Sequence, residues 1–217
     1  MTKLIGILCS LFIFLVGCGR SDSYSSLNKT SSVYLFGNSL LAFHDHGVSR
    51  WLSVFNPQVN FTDRSYVGAL AEAVKMQYAD EIRKGNYIET LVVEGGANNV
   101  FLHAWWCWDK VSEECKRVIE YAIGEIGDLI SRAKKNGTKK IILLLPYHLI
   151  NRAASFNAAL DYSIPFWLDI CVRIEGCTVL DLREHFVKKS LFWIDGVHPS
   201  LEGSFLLAKL ISDELQN

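Results

Sequence analysis

The chain has no excess of charge of either sign. It carries 22 lysine and arginine residues against 23 aspartate and glutamate residues, for a formal net charge of −1. Without a net positive charge or a basic stripe, it has no electrostatic signature of nucleic-acid binding, and we expect no nucleic-acid partner. Internal repeats and signs of a second domain are also absent. The 217 residues, half of them hydrophobic, are enough for one domain with a sizeable core.

The N-terminal hydrophobic run is too short for an ordinary membrane span. Residues 4–16, which follow Lys3, form an apolar run of thirteen residues, whereas a membrane-spanning helix needs about 20. This length after a positive charge is typical of the core of a signal peptide. The run ends in LVGC, residues 15–18. That ending resembles the lipobox of bacterial lipoproteins, whose cysteine is lipidated and becomes the first mature residue; an ordinary signal peptide cleaved nearby is the alternative.

This interpretation divides the chain into three parts. Residues 1–17 are the predicted lipoprotein signal peptide, residues 18–32 are the lipidated Cys18 and a flexible serine-rich tether, and residues 33–217 are the folded domain. We therefore expect an exported protein anchored to the cell envelope by its N-terminal lipid. In the lipoproteins that it resembles, an aspartate after the cysteine favours the inner membrane. Gly19 stands there instead, which favours the outer membrane in a Gram-negative host.

The cysteines of the domain do not follow the spacing of a structural zinc site. An exported location is oxidising, so disulfides are plausible, and four cysteines allow three pairings. We predict the two local pairings, with four buried thiols as the alternative; the pairs are Cys107–Cys115 and Cys171–Cys177. His44-Asp45-His46 resembles a metal-ligand cluster, but we interpret it as a solvated loop because no further ligands can be named. No metal or other cofactor is expected.

Short apolar runs alternate with amphipathic segments through the domain. The predicted strands are residues 33–36, 58–62, 90–93, 140–145 and 178–182, and the predicted helices are residues 48–55, 68–84, 111–135, 153–174 and 201–215. Pro165 is expected to start or to kink the main part of its helix. The alternation predicts an α/β fold with a five-stranded parallel sheet covered by helices on both faces. Sites in such folds form beyond the carboxyl ends of the strands.

Polar residues follow the first and the fifth predicted strands. Ser39 comes directly after the first strand, in YLFGNSLL; it is either a nucleophile or a helix cap. Asp195 and His198 are three residues apart in FWIDGVHPS, so one turn can bring a carboxylate to one imidazole nitrogen and leave the other nitrogen free. A surface pair near the last helix is the alternative. We predict that Ser39, His198 and Asp195 form a catalytic triad.

A tetrahedral intermediate needs preorganised hydrogen-bond donors for its oxygen. The Ser39 N–H, at the start of a helix, is one candidate. Asn98 in GGANN follows the third strand and offers a side-chain NH₂, and Gly68 offers a backbone N–H without a side chain in the way. A plain turn at Asn98 and a plain helix start at Gly68 are the alternatives.

Four segments resemble the SGNH hydrolases, also called the GDSL family. Residues 37–40 (GNSL) are similar to the first block, Gly68 to the glycine of the second, residues 96–99 (GANN) to the third, and residues 195–198 (DGVH) to the fifth. The segments are in family order and cover nearly the whole domain. The resemblance implies a flavodoxin-like three-layer α/β/α sandwich with a shallow, open active site.

The resemblance also assigns roles. It implies Ser39 as nucleophile, His198 as base and Asp195 as the residue that orients it. It implies an oxyanion hole made of the Ser39 N–H, the Gly68 N–H and Asn98. Three positions depart from the family pattern: Asn38 and Asn99 replace aspartates, and Val67 replaces the usual serine. In the family the residue at position 99 is structural more than chemical.

Several neighbouring residues are weaker candidates for substrate contact. Asn38 and Asn99 flank the motif residues. His148 follows the fourth strand and either contacts the substrate or only packs within its loop. Trp105 lies in HAWWCWDK, which is either a platform for a sugar or acyl group or a disulfide-pinned loop that covers the sheet edge.

The expected protein is a monomeric, lipid-anchored serine esterase that acts on short acyl esters, acetyl esters first, of carbohydrate or lipid. The alternatives are a lipase, a thioesterase or an acyltransferase on the same scaffold, and a non-catalytic glycan-binding surface lipoprotein. The sequence fits the α/β-hydrolase fold less well than the SGNH family, because Leu41 stands where the Gly-x-Ser-x-Gly motif of that fold has its second glycine.

Overall fold

The computed structural model describes residues 31–217. The predicted signal peptide, Cys18 and the tether up to residue 30 lie outside the described residues. The strands are β1 (Ser31–Phe36), β2 (Val59–Asp63), β3 (Thr90–Val93), β4 (Lys140–Leu145) and β5 (Cys177–Asp181). The α-helices are α1 (Ser39–Phe55), α2 (Ala71–Arg83), α3 (Ala97–Leu102), α4 (Ala104–Cys107), α5 (Glu113–Lys135), α6 (Asn157–Val172) and α7 (Leu201–Gln216). Short 3₁₀ helices cover Asn151–Phe156, Leu182–Glu184 and Lys189–Leu191.

The five strands form one parallel sheet in the order β2-β1-β3-β4-β5. This is the flavodoxin-like strand order, whose direction of winding reverses between β1 and β3. Helix α1 packs against α7, whereas α2 and α6 both pack against α5. The predicted three-layer α/β/α sandwich with a five-stranded parallel sheet is therefore confirmed. Loops that follow β1 and β3 meet at the switch point, where ligands bind in such sheets.

The buried elements follow directly from the sequence pattern. β4 reads KIILLL and is buried from Ile141 onward, as expected for a strand covered on both faces. The long helix α5 buries one stripe, begins at a Ser112 cap that accepts the Cys115 N–H, and ends before Gly137 with φ of 90°. The helix also places acidic residues in its first turn and basic residues in its last, which suits the helix dipole.

Most boundaries differ from the sequence prediction: α1 begins at Ser39 instead of residue 48, and α3 and α4 are not among the predicted helices. Three other differences have a physical reason. β1 begins at Ser31, because Ser31 and Ser32 pair with β2 although they read as tether. Helix α2 begins at Ala71 instead of residue 68, since Gly68 adopts φ of 84°, which is not helical. Pro165 lies inside α6 and does not start it. Pro165 is exposed, so the carbonyl that loses its helical partner is open to water.

Two disulfides are present, Cys107–Cys115 and Cys171–Cys177. The first joins α4 to the start of α5, and the second joins the end of α6 to β5. Within residues 31–217, no helix combines the length and the apolar composition that a membrane crossing requires.

Candidate active site

The turn after β1 is held by two buried polar side chains. The Gln77 side chain brackets Gly37: its Oε1 accepts the Gly37 N–H at 2.9 Å and its Nε2 donates to the Gly37 carbonyl at 3.0 Å. Glu94, which directly follows β3, accepts the Asn38 N–H at 3.0 Å. A Cβ at Gly37 would lie 2.9 Å from Leu41 Cδ1 and 3.1 Å from Glu94 Cγ, so a larger residue would have to displace these side chains. These contacts fix the backbone that presents Ser39.

Ser39 is the first residue of α1 and is 7% exposed. It does not cap the helix, because the cap is Asn38, whose Oδ1 accepts the Leu40 N–H at 3.0 Å. The structure thus separates the two roles that the sequence left open for this turn. Ser39 is left at the positive end of the helix dipole without a capping bond.

Asp195 and His198 form the turn expected from their spacing. Asp195 Oδ2 lies 2.6 Å from His198 Nδ1, while its Oδ1 accepts the N–H groups of Val197 at 2.8 Å and of His198 at 3.0 Å. Burial works against the charged carboxylate, but the hydrogen bonds from His198 and Val197 outweigh it and lower the pKa of Asp195. An ionised carboxylate only accepts, so Nδ1 carries the hydrogen and Nε2 of the neutral ring is free to take a proton.

The His198 ring is fixed from a second side by Phe43. The two rings stack with centroids 4.2 Å apart and planes 7° apart. Directly after Phe43 the helix α1 is interrupted by His44, Asp45 and His46, all in the left-handed region with φ of 53–57°. Three successive non-glycine residues in this region store backbone strain. This strained turn sets the position of Phe43 against the imidazole.

The strained turn is tied to the protein by its histidines. His44 Nε2 lies 3.1 Å from the Pro199 carbonyl oxygen, next to His198 in the chain. His46 Nδ1 lies 3.0 Å from Asp63 Oδ2 at the end of β2. No group of three or more histidine, cysteine, aspartate or glutamate side chains in the described chain is arranged to hold a metal ion.

The three predicted oxyanion donors have different surroundings. Asn98 lies in the first turn of α3 and donates one amide hydrogen to the Ala69 carbonyl at 3.0 Å, which leaves its second hydrogen for a ligand. Among the hydrogen bonds of residues 31–217, none uses the Ser39 or the Gly68 N–H. Gly68 has the left-handed conformation, and nothing lies within 4 Å of the position that a Cβ would take.

Two connected cavities meet at this cluster. The inner cavity, about 40 Å³, is lined by Asn38, Ser39, Leu40, Glu94, Ala97, Asn98, Phe101, Pro146, Tyr147, Leu149, Leu160, Val197 and His198. The outer cleft, about 470 Å³, is lined by Asn98, Phe101, Trp108, Arg152, Ala153, Phe156, Asp195, Val197 and His198. Their shared wall contains Asn98 and His198. Ser39 therefore faces the same small space as His198 and Asn98, whereas Gly68 lines neither cavity.

The Ser39 hydroxyl and the His198 ring share this cavity without a direct hydrogen bond in the part of the chain that the structure describes. Such contacts are often long in unliganded enzymes and close in the substrate complex.

Glu94 is the most unusual group of the site. It is 4% exposed, and burial raises its pKa to about 7 even though the Asn38 N–H hydrogen bond lowers it. Its sequence signal is an acidic residue at the end of the apolar strand β3, before GGANN. The sequence alone does not reveal that this side chain is buried, or that it accepts the Asn38 N–H at 3.0 Å.

Replacing Glu94 by glutamine should weaken the pH dependence of stability. The folded protein holds the Glu94 proton up to a pKa of about 7 and the unfolded chain only up to 4.5, so native stability falls as pH rises through this window. From pH 5 to pH 8, the unfolding free energy of the native protein should fall by about 2–3 kcal/mol more than that of the Glu94→Gln protein. Urea unfolding at both pH values measures this, and the exposed Glu202→Gln is the control. Equal losses in all three proteins would contradict the assignment.

Of the four weaker candidates for substrate contact, only Asn38 lies in the cavities of the site. Asn38 lines the inner cavity, but Asn99, Trp105 and His148 line neither cavity. Asn99 instead joins α3 to α2, accepting the Ala71 N–H at 2.9 Å. His148 contacts Asp161 at 2.7 Å. Trp105 is 76% exposed, beside the Cys107–Cys115 disulfide.

Solved structures of similar shape are esterases and lipases. An acetylxylan esterase from Geobacillus stearothermophilus superimposes with a TM-score of 0.67 and 16% identity, over 88% of this chain and 96% of that chain. An α/β hydrolase from the metagenome of Lake Arreo, Spain, gives 0.63 and 20%, over 87% and 97%. A GDSL-like lipase from Bacteroides thetaiotaomicron gives 0.61 and 18%, over 87% and 88%. The chain has the fold of these enzymes.

The sequence itself has diverged from the proteins compared. No protein-family model and no curated sequence matches the chain. The likeness therefore lies in the course of the backbone, and the chemistry of the site has to be argued from its own residues.

Proposed function

We propose that the chain is a serine esterase of the SGNH (GDSL) type that hydrolyses short acyl esters, with acetyl esters as the preferred substrates. The observation that carries the proposal is the inner cavity shared by Ser39, Asn98 and His198, together with the contact of 2.6 Å between His198 Nδ1 and Asp195 Oδ2. The fold shared with an acetylxylan esterase and a GDSL-like lipase supports it.

The proposed reaction has two steps. Ser39 Oγ attacks the ester carbonyl carbon while His198 Nε2 accepts the hydroxyl proton, and the oxyanion receives hydrogen bonds from the Ser39 N–H and Asn98 Nδ2. The family resemblance adds the Gly68 N–H, which lies outside both cavities but next in the chain to Ala69, whose carbonyl holds Asn98. The carbon–oxygen bond to the alcohol then breaks, and His198 returns the proton to the leaving alcohol. In the second step His198 takes a proton from water, whose oxygen attacks the acyl carbon. The bond between this carbon and Ser39 Oγ then breaks, His198 returns the proton to Ser39 Oγ, and the acid is released.

The size of the inner cavity supports a short acyl group. Its volume of about 40 Å³ leaves room for only a few water-sized groups. Apolar side chains, including Leu149, Leu160 and Phe101, form much of its lining. The larger cleft lies on the side of His198 and Asp195. Because His198 protonates the leaving alcohol, the alcohol half belongs in this outer cleft and the acyl group in the inner cavity.

Hydrolysis of p-nitrophenyl acetate, butyrate and octanoate tests the proposal. We expect kcat/KM to fall along this series, by at least about tenfold from acetate to octanoate, because longer chains exceed the inner cavity. The Ser39→Ala protein gives the background rate for these reactive esters. A rate that rises towards octanoate would favour the lipase alternative. No turnover above background would favour a non-catalytic module that binds glycans.

We also propose that lipid on Cys18 anchors the protein to the cell envelope, which rests on the sequence of residues 1–18. The mass of the mature N-terminal peptide tests this: a diacylglycerol-modified Cys18 is expected. An unmodified terminus released into the medium would contradict it.

A further inference from the structure

The outer cleft contains a cation with no acidic partner. Arg152 is exposed and its guanidinium carbon lies 5.5 Å from the centre of the Trp108 ring, a cation–π arrangement. Within residues 31–217, Arg152 forms no ion pair. The acidic side chain that lines the cleft, Asp195, is already engaged by His198 and Val197. The positive charge of Arg152 is therefore available to a ligand.

The aromatic wall beneath this cation is rigidly built. Trp108 follows Cys107, which is bonded to Cys115. The Trp108 ring meets the Phe156 ring edge to face at 5.1 Å, and Phe156 meets Phe101 in the same way at 4.8 Å. All three rings line the outer cleft. A flat ligand could rest against such a wall without first ordering it.

Hydrogen bonds from a side chain and from the backbone hold the segment that carries Arg152. Asn157 accepts the Leu149 N–H at 2.8 Å and donates to the Leu149 carbonyl at 3.0 Å, so it closes the loop between them. The Ile150 N–H donates to the Gly196 carbonyl at 3.0 Å, which joins this loop to the turn of Asp195 and His198. The Arg152 segment and the catalytic turn are thus held together as one unit.

We infer that Arg152 selects esters whose alcohol half is a ring bearing a carboxylate, with the ring against Phe101 and Phe156 and the carboxylate on the guanidinium. The inference rests on the proposed esterase function and names the substrate class of that site. A guanidinium recognises a carboxylate through paired N–H donors, and Arg152 offers them from its position beside Trp108. The 470 Å³ cleft, next to His198, accommodates the ring while the ester reaches Ser39.

A matched pair of acetyl esters tests the inference. 4-Acetoxybenzoate has an anionic ring as its alcohol half, and methyl 4-acetoxybenzoate has the same ring without the charge. The measured quantity is the ratio of kcat/KM for the two esters, each corrected for its alkaline hydrolysis. We expect Arg152→Gln to lower this ratio about tenfold, Arg152→Lys to lower it less, and added salt to reduce the native preference. Arg173→Gln, which removes an exposed arginine at the end of α6, should leave the ratio unchanged.

The outcomes separate this inference from the esterase proposal. Turnover of both esters with the same ratio in the native and Arg152→Gln proteins would overturn the role of Arg152 and leave the esterase intact. If the native protein hydrolyses neither ester, the esterase proposal fails. A binding measurement then tests whether Arg152 recognises the carboxylate. The dissociation constant of 4-acetoxybenzoate is then measured by calorimetry for the Ser39→Ala protein and for the double variant Ser39→Ala/Arg152→Gln. We expect it to be about tenfold higher for the double variant. Equal binding with and without Arg152 would overturn the inference.

Discussion

Replacing Ser39 by alanine is expected to lower kcat for p-nitrophenyl acetate by at least about 10⁴-fold. The reason is that, among residues 31–217, the only other hydroxyl that lines the inner cavity belongs to Tyr147, which donates to the Val197 carbonyl at 2.7 Å. Burial also raises the pKa of Tyr147, so its hydroxyl stays protonated. Steady-state kinetics on purified native and variant proteins measure the loss.

Ser53→Ala is the matched control for this substitution. Ser53 lies in the same helix α1, is exposed, and bonds to the Ser49 carbonyl at 3.0 Å. We expect Ser53→Ala to keep kcat within about twofold, because exposed surface substitutions rarely perturb a fold. Comparable turnover by the Ser39→Ala and native proteins would show that another group does the chemistry.

Replacing Gly196 by alanine should lower kcat by about 10²-fold although the side chain touches no substrate. Gly196 has φ of 73°, and a Cβ there would lie 2.5 Å from the Ile150 carbonyl oxygen. The turn has to shift to relieve this contact, and it carries Asp195 and His198 on either side. A displacement of about 1 Å at a catalytic group is enough for a loss of this size.

Gly124→Ala separates this effect from a general response to added bulk. Gly124 lies in α5 with nothing within 4 Å of the position that a Cβ would take, so alanine should fit and stabilise the helix by about 0.5–1 kcal/mol. Gly196→Ala is expected to lower stability by roughly 1–2 kcal/mol from the left-handed backbone alone. Kinetics should therefore be measured well below the unfolding midpoint of each variant. Native kcat in a folded Gly196→Ala protein would contradict the positioning argument.

The parts of the site that the sequence predicts are those fixed by local spacing. Asp195 and His198 are three residues apart, so one turn determines their contact without help from the rest of the fold. Ser39 was predictable because a buried strand ends just before it and helix signals follow. The sheet order brings Asn98 to the same cavity, because β1 and β3 are neighbours. The sequence also predicts both ends of β4 correctly, because an unbroken apolar run is a strong local pattern.

The parts that the sequence did not predict depend on contacts between distant residues. Gln77 and Glu94 look like ordinary polar residues, but each is buried against the turn before Ser39, across 40 and 56 residues of sequence. Phe43 stacks on His198 only because three left-handed residues follow it, and nothing in their types demands that conformation. Arg152 reaches the cleft through a loop whose course is set by Asn157.

Covalent labelling with a fluorophosphonate tests the central claim, that Ser39 is the nucleophile, most directly. The reagent should add once per molecule to the native protein, and peptide mapping should place the adduct on Ser39. Ser39→Ala should take up no label, and His198→Ala should react far more slowly because its serine has no base. Ser53→Ala should label as the native protein does. Label on another residue, or turnover that persists in a protein whose Ser39 carries the label, would contradict the account.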